Sequence, residues 1–387
     1  MPVTWLHISD LHVQSGDSYD RDVVFRALVK SVRRFRERDG RTPDLIFATG
    51  DIAYSGSSAE YAIASEFFDQ ILEASGLGRN RLYAVPGNHD VDRSVGLQLK
   101  RELGSRSEAD DYFHPDTQKL HLTHKQGSFL RWYHDYFGGI RTMPEKSSCG
   151  PVELVRVRNQ RLGVLPINTA LFCQNDSDFE RLCVGRRCLD TGIEELNLLG
   201  ADLKIAVMHH PLHYLSVIER ENIRASLVDH VDVVLSGHLH EAGYAGVDML
   251  SGRNLYCAAG ATYQTRKWPN TAYYATFHRD HVTIFPISYY DKPRERWEVD
   301  PSVFPDAPGY EASFPVPREP RFRSFRIPRW DGQNQIPARK HPDRTKTMPT
   351  GSPEPRLGRG VGSMEAMGEK PARKQKRVRG TKNKRKA

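Results

Sequence analysis

Five short apolar runs within the first 240 residues each stop abruptly at a knot of polar side chains. Trp5-Leu6-His7-Ile8-Ser9 runs into Asp10-Leu11-His12, Leu45-Ile46-Phe47-Ala48-Thr49 into Gly50-Asp51, and Leu82 to Val85 into Pro86-Gly87-Asn88-His89-Asp90. Ile205-Ala206-Val207-Met208 runs into His209-His210-Pro211, and Val233-Val234-Leu235-Ser236 into Gly237-His238-Leu239-His240. Runs of this length are strand-sized. Between the first three lie helical patterns, one through Val23, Phe25, Leu28, Val29, Val32 and Phe35 and one from Tyr61 to Leu72. The resulting βαβαβ pattern predicts a parallel or mixed sheet with helices packed on it. In such a sheet the loops at the carboxyl ends of strands gather at one edge, where ligands bind. The five polar knots are therefore expected to meet.

The pattern breaks after Asp92. Residues 93–150 are polar and rich in His and aromatics, with helical spacing around Leu99 and from Phe129 to Phe137, and read as an insertion or cap. Strand-like segments resume at Val152–Val157, Leu162–Ile167, Lys204–Val207, Val231–Leu235, Asn254–Cys257, Tyr273–Phe277 and His281–Ile287. The last three lack helical spacers, so the sheet is expected to close with antiparallel strands. Prolines accumulate from Pro301, and beyond Ala338 few apolar residues remain to form a core. The expected organisation is a folded domain over 1–300, a Pro-rich extension over 301–338 and a disordered basic tail over 339–387.

The formal charge of +8 is concentrated at the end of the chain, where residues 371–387 hold nine Lys and Arg and no acid. Such a run is usually a solvated arm, and its other reading is a salt-sensitive nucleic-acid contact. It has no interleaved aromatics, so stacking on bases finds no support there. No apolar run approaches the roughly 18 residues of a membrane span, and the N-terminus passes directly into strand-like Val3 to Leu6 without a signal pattern. A cytoplasmic protein with no membrane partner is the expectation. Five cysteines without CxxC spacing fit reduced thiols.

The knots supply Asp10, His12, Asp51, Asn88, His209, His238 and His240, a set of two Asp, one Asn and four His. Oxygen and imidazole donors without thiolate suit Mn, Fe, Co, Ni or Zn rather than Ca or Mg alone. Asp-x-His and His-x-His in a turn leave both side chains of a pair on one side. Seven donors exceed what one tetrahedral metal needs, and suit two metals sharing a carboxylate, roughly 3.5–4 Å apart. Singly, each residue has a bland reading: Asp10 and Asp51 as helix caps, His12 or His240 as surface histidines. Five strand ends in succession do not.

In order and spacing, Asp10-x-His12, Gly50-Asp51, Gly87-Asn88-His89-Asp90, His209-His210-Pro211 and Gly237-His238-x-His240 resemble the calcineurin-like metallophosphoesterases. The opening His7 to His12 block and the His-His-Pro block are most similar to the cyclic-nucleotide phosphodiesterase and SbcD-like nuclease branches. The resemblance fades after about Ile287. It implies a four-layer α/β/β/α sandwich with a helical insertion. It also implies that Asp10, His12 and His240 hold one metal, that Asn88, His209 and His238 hold the other, and that Asp51 bridges. The metals would be two divalent ions, Mn, Fe, Zn or Co. A hydroxide bridging them would attack phosphorus, His89 would protonate the leaving oxygen, and Asp90 would orient the His89 ring. His210, Tyr54 and Arg93 are weaker substrate-binding candidates.

The expected substrate is a phosphate ester, a phosphodiester by resemblance, with cyclic nucleotides among the candidates. Two other readings stand beside it: a DNA or RNA nuclease recruited through the 371–387 tail, and a non-catalytic metal-binding interaction module. His7, His213, His230, His278 and His281 lack partners at ligand spacing and read as structural or surface residues. His114, His121, His124 and His134 read as a solvated helical face.

Overall fold

The βαβαβ start is built into one of two mixed sheets that lie face to face. The computed structural model describes residues 2–16, 18–92, 103–144, 147–174, 178–240, 243–249, 252–266 and 269–316. In the first sheet β1 (Val3–Ile8), β2 (Leu45–Ala48) and β3 (Leu82–Ala84) run parallel. On the other side of β1 come the antiparallel β10 (Thr271–Phe277), β11 (His281–Tyr290) and β12 (Arg296–Val299), with β13 (Ala312–Pro315) also on β11. The second sheet runs β4 (Glu153–Val157), β5 (Gln160–Pro166), β6 (Leu203–Val207), β7 (Val233–Ser236), β9 (Gly252–Ala258), β8 (Gly243–Met249). Of these β5, β6, β7 and β9 are parallel.

Burial on both faces explains why the strands read as continuous apolar runs. In β1, Val3 and Trp5 enter the core between the sheets, whereas Leu6 and Ile8 pack under α1 (Tyr19–Arg38) and α2 (Ser58–Ser75). In β6, Leu203, Ile205 and Val207 point to the shared core, and Ala206 points to α5 (Arg186–Leu198) and α6 (Arg220–His230). Helix, sheet, sheet and helix give the expected four-layer sandwich.

Local chemistry sets the helix ends. Helix α1 carries Asp20 and Asp22 in its first turn and Arg36 and Arg38 in its last, matching the helix dipole. Helix α2 starts at Ser57, whose hydroxyl accepts from Glu60 N while the Glu60 carboxylate accepts from Ser57 N, and it ends at the left-handed Gly76.

Three details depart from the sequence reading. Asn254–Cys257 does not close the sheet antiparallel but lies in β9, parallel to β7, because the intervening β8 pairs antiparallel to β9 and returns the chain. The insertion forms α3 (Arg106–Tyr112) and α4 (Pro115–Tyr136), and α4 joins the outer helical layer: Trp132 stacks on Tyr61 with centroids 5.2 Å apart and donates to Ser65 Oγ at 2.9 Å. His121, read as solvated, is buried and stacks on Tyr112 at 4.1 Å. Within the Pro-rich extension, Ala312–Pro315 supplies β13. Residues 317–338 of that extension, the 339–387 tail, Leu99 and Arg93 lie outside the described residues. Among the described residues no helix is long and apolar enough to cross a membrane.

Candidate metal centre

All five strand-end knots meet at one edge of the two sheets. Asp10, His12, Asp51, His238 and His240 each take a left-handed backbone conformation, with φ of 53°, 45°, 50°, 72° and 57°. Non-glycine residues adopt this region sparingly, at a cost of order 1–3 kcal/mol where the surroundings enforce it. Here the enforcement is a lattice of backbone bonds between neighbouring strand ends: Asp10 N to Gly50 O at 3.1 Å, Leu11 N and His12 N to Asp51 O at 2.9 Å each, and Gly237 N to His209 O at 2.9 Å. Glycine is required where these turns touch. A Cβ on Gly87 would strike Asp51, and one on Gly237 would strike Ser9 Oγ.

The donors form two groups with Asp51 between them. In the first, His240 Nε2 lies 3.4 Å from Asp10 Oδ1 and 3.4 Å from His12 Nε2. In the second, His238 Nδ1 lies 3.0 Å from Asn88 Oδ1 and 3.2 Å from His209 Nε2, and His209 Nε2 lies 3.1 Å from Asn88 Oδ1. Asp51 Oδ2 is 3.4 Å from His209 Nε2, and Asp51 also clusters with His12 and His89. Asp10 Oδ2 accepts from His238 N at 3.1 Å, tying the first sheet's edge to the second's.

Charge and burial are set against each other at every position. Burial alone would raise the Asp10 carboxyl, but the His240 imidazole and the His209 charge outweigh it and hold it at about 2. Burial would raise Asp51 too; His209 pulls it well below the ordinary carboxylate value. Burial lowers His12, and with the neighbouring His209 charge lowers His238 to about 4. His240 is raised by Asp10. In His209 burial opposes the Asp51 charge and loses, leaving the ring at about 9.

The candidate ligand atoms are oriented from behind. His209 Nδ1 donates to Thr49 O at 2.6 Å and His240 Nδ1 to Gln264 Oε1 at 3.1 Å, so each ring turns Nε2 inward. Outer partners of this kind fix the tautomer of metal-binding imidazoles. His7 lies fully buried beneath, bonded to Tyr273 Oη and, at 2.9 Å, to Thr49 Oγ1, which is the structural role expected of it.

His89 sits at the rim, and its neighbour has a different task from the one expected. Asp90 does not touch the His89 ring. Its carboxylate accepts from Ile52 N (3.1 Å), Ala53 N (3.0 Å), Gly87 N (2.9 Å) and Tyr61 Oη (2.9 Å), which occupies both oxygens. Burial and the Asp51 charge still raise it to about 6. The His89 ring is held instead by the Tyr54 carbonyl, to which Nδ1 donates at 2.7 Å. No side-chain pattern announces a backbone carbonyl, so the sequence offered no signal for it.

His210 is buried behind His238, its Nδ1 2.8 Å from Thr169 Oγ1 and its Nε2 3.6 Å from Cys173 Sγ. Burial holds it well below the ordinary imidazole value, and one edge of it reaches the cavity over the donors. A cavity of about 250 Å³ opens over the donors, walled by His210, Asp178, Phe179 and Tyr214. Phe179 and Tyr214 meet edge to face at 5.2 Å; neither was singled out from the sequence. On the other side the half-exposed Tyr54 ring leans on His89 at 5.2 Å.

Two clusters of inward-facing nitrogen and oxygen donors, joined by one buried carboxylate, fit a pair of divalent cations. The Asn88, His209 and His238 donor atoms converge within 3.2 Å of one another, as three ligands of one cation would.

Residues 3–242 match the family model of the calcineurin-like phosphoesterases. An uncharacterised metallophosphoesterase-like protein of Bacillus subtilis (strain 168) is 29% identical over 252 residues, covering 63% of this chain and 50% of that protein. The chain therefore spans about half the length of the curated relative it matches. Among solved structures, PhoD aligns with a TM-score of 0.48 at 11% identity, covering 77% of this chain and 68% of that one. A dimetal phosphatase from Danio rerio aligns with a TM-score of 0.43 at 13% identity, covering 77% and 98%. With more than half of its 387 residues inside the matched span, the chain belongs to the calcineurin-like phosphoesterase family.

Proposed function

We propose that the protein hydrolyses phosphodiester bonds at this centre. The observation that carries the reading is Asp51, which clusters with Asp10 and His12 of the first donor group and with His209 of the second. Divalent cations held by Asp10, His12 and His240 and by Asn88, His209 and His238, with Asp51 shared, would supply Lewis-acid stabilisation of phosphoryl oxygens and activation of water. Mn, Fe, Zn or Co suits that donor set.

The chain's own residues do the rest. Asp10 and Asp51 remain carboxylates throughout the working range. His89 spends its Nδ1 proton on the Tyr54 carbonyl, so Nε2 is the nitrogen left for the leaving alkoxide, and the ring must carry a second proton to donate there. Asp90 keeps the turn closed so that Asn88 and His89 are presented together. Phe179 and Tyr214 wall the cavity and the Tyr54 ring leans on His89, so two aromatic surfaces are available to two ester arms, which supports a diester over a monoester.

The test is a Mn-reconstituted preparation assayed on bis-p-nitrophenyl phosphate, p-nitrophenyl phosphate, cyclic nucleotides and single-stranded DNA. A metal-dependent rate, higher on diester than monoester and lost in Asp51→Asn, is expected. Preference for the monoester overturns the diester reading; no metal-dependent rate on any of the four overturns hydrolysis itself.

A further inference from the structure

Away from the metal centre, two of the five buried cysteines share an unusual environment. Burial pushes Cys183 up, and Cys257 to about 12, as expected of inert thiols. Cys188 lies in the first turn of the 13-residue helix α5. Its Sγ accepts from Cys149 N at 3.1 Å and lies 3.0 Å from Ser147 Oγ and 3.1 Å from Ser148 Oγ. The Cys149 thiol is hydrogen-bonded to the same sulfur.

We propose that Cys188 and Cys149 form a peroxide-reactive pair, in which Cys188 is the attacking thiolate and Cys149 the resolving thiol. The Ser148 hydroxyl, a backbone N–H and a second thiol around one sulfur make a site for negative charge, and the helix N-terminus adds its positive end. The Ser147 hydroxyl divides its proton between this sulfur and Cys149 O. Burial alone would raise the Cys188 thiol; the contacts from Cys149, Ser147 and Ser148 outweigh it and bring it to about 6. The buried Glu219 carboxyl feels this sulfur and is itself raised to about 7, chiefly by burial.

Access is through a cavity of about 410 Å³ lined by Phe113, Ser147, Arg187, Cys188, Asp190 and Glu194. Two carboxylates against one guanidinium disfavour an anionic disulfide as oxidant. A small neutral hydroperoxide fits. Cys188 thiolate attacks the distal oxygen of the hydroperoxide; the O–O bond breaks, an S–O bond forms to give the sulfenic acid, and the alkoxide leaves, taking up from solvent the proton that the thiol released on ionising. Cys149 sulfur then displaces hydroxide from the Cys188 sulfenic acid, its own proton completing the water that departs. One hydroperoxide is reduced and two thiols become one disulfide.

The experiment uses the reduced full chain and equimolar hydrogen peroxide at pH 7, with timed quenching, alkylation under denaturing conditions and peptide mass spectrometry. Cys188 is expected to lose its thiol about tenfold or more faster than Cys183 and Cys257, with a Cys149–Cys188 disulfide as product. In Cys149→Ser the reaction should halt at a dimedone-trappable sulfenic acid on Cys188. A Ser147→Ala/Ser148→Ala variant should slow the first step. The unmodified protein decides the matter even if a variant folds poorly: Cys188 reacting no faster than Cys257, or joining any cysteine other than Cys149, overturns the proposal.

Discussion

His209 Nε2 stands 3.2 Å from His238 Nδ1, two imidazole nitrogens brought face to face from the ends of β6 and β7. Because His209 Nδ1 already donates to Thr49 O, a cation in this gap would take the place of the proton that His209 Nε2 carries there. Asn88 Oδ1 is turned to the same point, so three donor atoms face one another there. Metal should therefore stabilise the fold: at a hundredfold excess over its dissociation constant the gain is about 2.7 kcal/mol. A rise in Tm on adding Mn, reversed by a chelator and absent in His209→Ala, is the expected result in a thermal melt.

Loss of the His89 ring should separate chemistry from metal binding. Its Nδ1 is bound to the Tyr54 carbonyl at the rim. General acid catalysis is worth about 10²–10⁴-fold, so His89→Ala should lower kcat by that order while elemental analysis still finds both metals. A variant that lost its metals would instead make His89 part of the metal-binding set.

The four-layer fold and the convergence of the five knots were legible because strand burial on both faces and the turn residues are written locally. What holds the rings was not. The carbonyls of Thr49 and Tyr54 have no side-chain signature, and Gln264, which fixes His240, lies in a segment with no motif. The role expected of Asp90 failed for a related reason: adjacency to His89 in sequence says nothing of where a side chain points once the turn folds back on Ile52 and Ala53. Likewise β8 and β13 escaped notice because each draws its stability from a partner strand.

Close backbone approach predicts a sharp response at Gly237. An added methyl group would press into Ser9 Oγ beneath Asp10, where the first and second sheets are joined. Overpacking of this kind costs about 1–3 kcal/mol. Gly237→Ala should show that loss in urea denaturation, together with weaker metal binding, whereas Gly139→Ala, which meets open space but has a φ of 74°, should show only backbone strain.

Stability should also depend on pH through Glu219. Burial raises its carboxyl to about 7 even though Val184 N at 2.5 Å and Gly185 N at 3.3 Å donate to it. Its folded value thus lies above the unfolded value of 4.5, so the folded state binds the proton more tightly. The contribution is most favourable below pH 4.5 and is lost as pH rises through about 7, with a slope of at most about 1.4 kcal/mol per pH unit. Glu219→Gln lacks the titration. Relative to the unmodified protein its stability should improve from pH 5 to pH 8, and parallel curves across that range would refute the assignment.

Asp90 provides the remaining test, because two roles for it make opposite predictions. Were it an orienter of His89, Asp90→Asn would leave the fold and the metals intact and reduce kcat. The structure gives each of its oxygens a backbone N–H and a further donor: Oδ1 serves Ala53 N and Tyr61 Oη, Oδ2 serves Ile52 N and Gly87 N. In the amide one oxygen becomes an NH₂ group facing two donors, leaving buried groups unsatisfied at about 1–3 kcal/mol each. The Gly87 turn carries Asn88, whose Oδ1 meets His209 and His238, and the neighbouring backbone His89 N donates to Asp51 Oδ1 at 2.8 Å. Opening that turn displaces metal donors before it disturbs proton transfer. Asp90→Asn should therefore lower Tm and metal affinity together, while kcat at saturating metal stays within about tenfold of the unmodified protein. Intact metal affinity with a collapsed kcat would restore the orienting role.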